Sequence, residues 1–223
     1  MRVAEIALPN YTKTQEIWNS ISHGVGVLFS LIAGPFIITK AARLNDNLAV
    51  MAVSIYIVSM IILYAGSALY HALDRNNGKR VLRVLDHNNV FLLVMGSYLP
   101  FCWISLRQYQ SPFPWGWVIF SIVWGFSIVG IILNSIDIWK FRVFCAIVQI
   151  LVASSICAAI YPLYCVIGLQ GVLCLLGSGV LYWIGAILYG LGAKKSEWFH
   201  TVFHFFILFG TILMYFTIYF FVL

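Results

Sequence analysis

Long apolar stretches separated by short polar connections run along the whole chain. Seven stretches contain no Asp, Glu, Lys or Arg, and they cover 17–39, 48–72, 87–106, 115–136, 143–163, 166–192 and 199–222. A helix of about 20 residues crosses a hydrocarbon core of about 30 Å, so each stretch is long enough to do so. None shows the apolar–polar alternation of a membrane β-strand. The pattern therefore predicts an all-α membrane protein, a bundle of seven transmembrane helices.

The polar connections divide the chain in a simple way. Residues 1–16 predict a short N-terminal segment without a signal peptide, and residues 17–223 predict a single transmembrane domain. The join between the fifth and sixth stretches is the least sharply marked, because Tyr161-Pro162 and Gly168 are its main punctuation. We expect the chain to break its helix near those residues.

Composition and charge agree with a lipid environment. Hydrophobic residues make up 62% of the chain and charged residues 9%, whereas a soluble domain keeps about a quarter of its residues charged. The net charge of +6 does not indicate a nucleic-acid partner, because the 13 Lys and Arg residues are scattered without a basic stripe. With the N-terminus in the cytoplasm, only Lys40, Arg43 and Arg107 fall outside. This bias predicts a cytoplasmic N-terminus and an outside C-terminus.

Histidines from distant parts of the chain meet at one depth in this topology. His71 ends the second stretch and His200 opens the seventh, followed by His204 one helical turn later. All three side chains then lie in the cytoplasmic leaflet, where ionisable groups need partners. Two imidazoles on one helix face can reach a common ion at about 2.0–2.1 Å, and His71 supplies a third nitrogen. Hydrogen bonding of these histidines to backbone or lipid head groups is the simpler alternative.

Polar groups beside the histidines point to catalysis. Three protein ligands and an open position are the pattern of catalytic zinc. Asp86, at the border of the third stretch, can hold or deprotonate a water there, with Ser67 one turn before His71. Asp86 can alternatively serve only as a cap of the third helix. His87 is expected to face elsewhere. Glu16, Asn19 and His23 share one face of the first helix as a structural polar cluster or as part of the site.

At these residues the chain resembles the hemolysin III family, the bacterial branch of the progestin and adipoQ receptor proteins, related to alkaline ceramidases. The motifs that carry the resemblance are Glu16-x-x-Asn19-x-x-x-His23, Ser67-Ala68-Leu69-Tyr70-His71, Leu85-Asp86-His87, Gly96-Ser97-Tyr98-Leu99-Pro100 and His200-Thr201-Val202-Phe203-His204. The resemblance implies that His71, His200 and His204 bind zinc, that Asp86 engages the water at the zinc, and that Ser67 belongs to the same site. It also implies a bacterial inner-membrane protein linked to lipid homeostasis.

Two functions follow from this site. An open metal position beside a carboxylate favours a zinc-dependent hydrolase of a lipid amide or ester, with Asp86 as general base and Ser67 as oxyanion donor. The substrate is then a membrane lipid or its acyl chain. The alternative is a non-catalytic sensor of lipid or membrane fluidity, or a receptor-like protein, in which structural zinc ties the second and seventh helices together. A cytolysin is least favoured, because a pore-forming toxin needs a water-soluble form.

Overall fold

The computed structural model describes residues 2–223, apart from the side chains of 192–195, and this range is helical without strands. A short 3-10 turn at Val3–Glu5 precedes the first long helix. The helices are α1 (Lys13–Ala42), α2 (Asn47–Ala72), α3 (Asn77–Gln108), α4 (Trp115–Ile136), α5 (Arg142–Ser154), α6 (Ile160–Lys195) and α7 (Trp198–Val222). A π-helical turn at Phe101–Ser105 interrupts α3, and another, Ile218–Val222, ends α7.

Six helical runs among the described residues are long and apolar enough to span a membrane. The chain is thus an all-α integral membrane protein, as predicted. The fifth and sixth predicted stretches both lie within one run of 50 residues, Arg142–Leu191, whose backbone is non-helical at Gly168. The other stretches each correspond to one run.

The predicted start of the third helix is wrong by ten residues. The α3 helix begins at Asn77, where Asn76 accepts a hydrogen bond from the backbone N–H of Lys79 at 2.9 Å. Likewise α1 begins at Lys13, capped by Thr12 and Gln15. The apolar pattern detects only the membrane-spanning part of a helix, and polar caps extend both helices beyond it.

The predicted break near Tyr161-Pro162 and Gly168 is present at Gly168, whereas Tyr161-Pro162 is helical. A 3-10 segment, Ser155–Ala159, joins α5 to α6, and Pro162 is helical. Proline is tolerated there because backbone N–H groups in the first turn of a helix make no hydrogen bond within the helix, so its missing N–H costs nothing. Within α6 the backbone breaks at Gly168, which has φ 70° and ψ 177°, a conformation that is essentially restricted to glycine.

Replacing Gly168 with alanine is expected to destabilise the protein by about 1–3 kcal/mol, because a Cβ is strained in this conformation although no atom obstructs it. Gly179→Ala is the matched control in α6. Its Cβ also meets no atom within 4 Å, and its backbone is ordinary helix, so the change is expected to be neutral or slightly stabilising. Thermal unfolding in detergent measures both. Equal melting temperatures for the two variants contradict the strain at Gly168.

Buried tyrosines cross-link the bundle. The α2 helix packs between α1 and α3, and α7 packs against α1 and α6. From α2, Tyr56 and Tyr64 donate hydrogen bonds to carbonyls of α7, each at 3.4 Å. Tyr215 of α7 donates to the carbonyl of Ala33 in α1 at 2.8 Å. These hydrogen bonds hold α1, α2 and α7 together.

Candidate metal centre

Three buried histidines converge where the start of α7 meets the end of α2. His71 is the penultimate residue of α2, and His200 and His204 lie in the first two turns of α7. Their exposed fractions are 2%, 7% and 1%. Each offers one ring nitrogen, and these three atoms lie within 4.8 Å of one another. The predicted convergence of these histidines is therefore present in the fold, and the group can hold a metal ion.

The separations of the ring nitrogens suit a common ion. His200 Nε2 lies 3.0 Å from His204 Nε2 and 3.4 Å from His71 Nε2. Two ligands placed about 2.0–2.1 Å from one tetrahedral zinc ion are separated by about 3.3 Å, so both distances are close to the value required. In all three rings it is Nε2 that faces the common centre.

The outer ring nitrogens of two histidines are held by α1. Glu16 Oε2 accepts a hydrogen bond from His71 Nδ1 at 2.6 Å. Ser22 donates its own hydroxyl hydrogen to the carbonyl of Asn19, so its Oγ can accept from His204 Nδ1, which lies 3.5 Å away. A proton on Nδ1 leaves the lone pair on Nε2 free for a metal. Glu16 and Asn19 thus belong to the site.

Buried polar atoms without a partner occur on α1, α2 and α7, the helices that meet at the cluster. Among the described residues they include Ser67 Oγ, Asn19 Oδ1, both ring nitrogens of His23, and Thr201 Oγ1. His23 stacks on the His204 ring at 3.9 Å and meets Tyr64 edge-on at 5.1 Å. Buried polar groups inside a membrane protein need hydrogen bonds. The unpaired nitrogens of His23, whose ring stacks on His204, therefore indicate a polar occupant beside the histidines, which fits a hydrated metal ion.

Asp86 lies at the same end of the bundle but outside the histidine group. Its side chain is half-buried and within electrostatic range of Tyr70 and Tyr189, and its carboxylate has no hydrogen bond or ion pair within the described part of the chain. The alternative that Asp86 caps α3 is wrong, because α3 begins nine residues earlier, at Asn77. His87 is not a member of the histidine group; it contacts the Tyr189 hydroxyl at 3.0 Å, and the Tyr189 ring lies 5.7 Å from that of His200.

The N-terminal segment, which sequence reasoning left without a role, covers the cluster. Tyr11 stacks on the His200 ring with centroids 4.9 Å apart and planes inclined by 16°. Burial raises the pKa of the Tyr11 hydroxyl well above its usual range, so this side chain is neutral at all physiological pH values. The contact between Tyr11 and His200 could not be predicted from residue spacing, because it depends on how residues 2–12 fold back over the bundle.

Arginines at the same end hold this segment in place. Arg75 donates to the carbonyl of Pro9 at 2.8 Å and to that of Leu8 at 3.3 Å. Arg80 donates to the carbonyls of Ala4 and Ile6, and Arg83 to that of Ala7. These arginines, which the sequence pattern explained only as signals of membrane topology, thus also bind backbone carbonyl oxygens.

Comparison with known proteins gives one family. The family model described as haemolysin-III related matches residues 11–215. Hemolysin-3 of Bacillus cereus is 34% identical over 209 residues, which cover 94% of this chain and 92% of the relative. A hemolysin-3 homolog of Bacillus subtilis strain 168 is 31% identical over 208 residues, covering 93% of this chain and 94% of the relative. The match includes every residue of the metal cluster.

Proposed function

Because the chain belongs to the haemolysin-III-related family, we propose that it is a zinc-dependent hydrolase of a lipid amide or ester, active within the membrane. His71, His200 and His204 are the zinc ligands. The single observation that carries the proposal is the convergence of three buried Nε2 atoms at the end of the bundle that also holds a half-buried, unpaired carboxylate.

The donor set favours zinc among the biological metals. Imidazole nitrogens suit zinc, and three ligands leave a fourth tetrahedral position open. Zinc bound in this way lowers the pKa of its water towards about 7 and polarises a substrate carbonyl.

The polar residues near the histidines have distinct roles in the proposed reaction. The Asp86 carboxylate takes a proton from the attacking water, whose oxygen forms a bond to the acyl carbon. The Ser67 hydroxyl, buried one turn before His71, donates a hydrogen bond to the negative charge that develops on the carbonyl oxygen. The carbon–nitrogen or carbon–oxygen bond then breaks, and Asp86 returns its proton to the leaving group. The products are a fatty acid and the amine or alcohol.

We also propose that the chain crosses the membrane seven times and that its N-terminus lies in the cytoplasm. At 1.5 Å per residue, the 50 residues of Arg142–Leu191 measure about 75 Å, more than twice the hydrocarbon core. The break at Gly168 divides this run into two crossings. The excess of Lys and Arg at the end that holds the histidines supports a site in the cytoplasmic leaflet of a bacterial inner membrane.

Replacing Asp86 with asparagine is expected to lower lipid hydrolysis by about 10²–10⁴-fold, the usual contribution of a general base, while bound zinc stays unchanged. Fatty-acid release from a panel of N-acyl and O-acyl lipids, with zinc quantified in the same preparations, measures both quantities. Asp74→Asn is the control, because Asp74 is exposed near the same end of the bundle. Full activity in Asp86→Asn contradicts the assigned base. A wild type that holds zinc yet hydrolyses no lipid of the panel favours a sensor with structural zinc.

A further inference from the structure

A lysine that sequence reasoning assigned only to topology is buried beside the metal cluster. Lys79 is 3% exposed and lies in the first turn of α3. The positive end of the helix dipole opposes a cation at this position. Removing an ammonium group from water is costly as well unless other groups pair with it. A methionine or leucine in its place would avoid both costs, so the location of Lys79 calls for an explanation.

Three groups from two other helices surround its ammonium. Lys79 Nζ donates to Glu16 Oε1 at 2.6 Å and to the carbonyl of Leu73 at 2.9 Å. It also lies 5.2 Å from the centre of the Tyr70 ring. Tyr70 precedes His71 in α2, Leu73 caps the C-terminal end of that helix, and Glu16 is in the first turn of α1. Lys79 therefore connects the ends of three helices around one histidine.

The Glu16 carboxylate divides its two oxygens between two donors. Oε1 accepts from Lys79, and Oε2 accepts from His71 Nδ1 at 2.6 Å. An ionised carboxylate only accepts hydrogen bonds, so the hydrogen on His71 must be on Nδ1 and the lone pair on Nε2. With one oxygen fixed by Lys79, the carboxylate can rotate only by breaking a charged hydrogen bond.

We propose that Lys79 is a positioning residue for the metal centre, acting on His71 through Glu16. It fixes the Glu16 carboxylate, and Glu16 then fixes the orientation of the His71 ring so that Nε2 faces His200 and His204. The inference rests on the proposed function, since it requires that the histidines bind zinc. Outer partners of metal-binding histidines typically change metal affinity by about 10–100-fold when they are removed.

The test measures zinc affinity of the purified full-length protein by competition with a chromophoric chelator. Lys79→Met is expected to weaken zinc binding by about 10–100-fold, and Lys79→Arg, which keeps the charge and the donors, is expected to recover most of it. Lys13→Met is the control, because Lys13 is exposed one turn from Glu16. If Lys79→Met does not yield monodisperse protein, Lys79→Gln takes its place in the comparison.

A double-mutant cycle separates positioning from general stabilisation. In a Glu16→Gln background, Lys79→Met is expected to have little further effect on zinc affinity, because its action passes through Glu16. The absorption bands of bound cobalt(II) are expected to change in each single variant, which reports the ligand geometry directly. Additive losses, or wild-type affinity in Lys79→Met, overturn the inference while leaving the zinc site intact. A wild type that binds no zinc refutes the proposed function itself.

Discussion

Replacing His200 with alanine is expected to lower zinc affinity by about 100-fold or more. His200 is the central member of the cluster, with its Nε2 within 3.4 Å of the Nε2 atoms of both His71 and His204. Zinc binding to sites of four protein ligands releases about 10–16 kcal/mol, so one ligand accounts for roughly 3 kcal/mol, or about two orders of magnitude in affinity. Competition titration with a chelator, together with the zinc content of protein purified without chelator, measures the loss.

His87→Ala is the matched control for this prediction. His87 lies at the same end of the bundle, but it contacts Tyr189 and the carbonyl of Arg83 rather than the cluster. Its removal is expected to leave zinc affinity unchanged. If both variants retain zinc, or if both lose it equally, the assignment of ligands is wrong.

Replacing Gly96 with alanine is expected to destabilise the protein by about 3 kcal/mol, near the upper end for overpacking. A Cβ at this position would overlap Ser59 Oγ, and it would lie 2.8 Å from Ser59 Cβ and 3.2 Å from the Cα of Tyr56. Because α2 carries Ser67 and His71 while α3 carries Asp86, separating these helices also disturbs the site. The melting temperature in detergent and the zinc content are both expected to fall.

A second substitution tests the cause of this loss. Ser59→Gly removes both of its overlapping atoms and leaves only the contact with Tyr56 Cα, so the double variant is expected to recover much of the lost stability. Gly125→Ala in α4 is the control, since its Cβ meets no atom within 4 Å. A Gly96→Ala protein as stable as the control contradicts the close approach of α2 and α3.

The metal cluster was predictable because its signals are local and its depth follows from topology. The four-residue spacing of His200 and His204 places both on one helix face. Counting helix crossings then brought His71 to the same end, which the fold bears out. The position of Asp86 at that end was predictable in the same way, whereas its function stays a prediction.

Other features depend on three-dimensional contacts that no periodicity records. The apolar pattern located the membrane-spanning part of α3 but missed its polar first turns, which include Lys79. Of the residues that the sequence marked for a break in the 50-residue run, Gly168 carries it and the proline six residues before it does not. Tyr11 reaches His200 only because arginines bind the carbonyls of the folded-back N-terminal segment. The contacts of Lys79 and Tyr11 require the positions of atoms that are remote in sequence.

X-ray absorption at the zinc edge, on protein purified in detergent without chelator, tests the central claim most directly. The account predicts one zinc ion per chain with three imidazole nitrogens and one oxygen at about 2.0–2.1 Å. Protein without stoichiometric zinc, or a spectrum dominated by sulfur at about 2.3 Å, would contradict a site made of His71, His200 and His204.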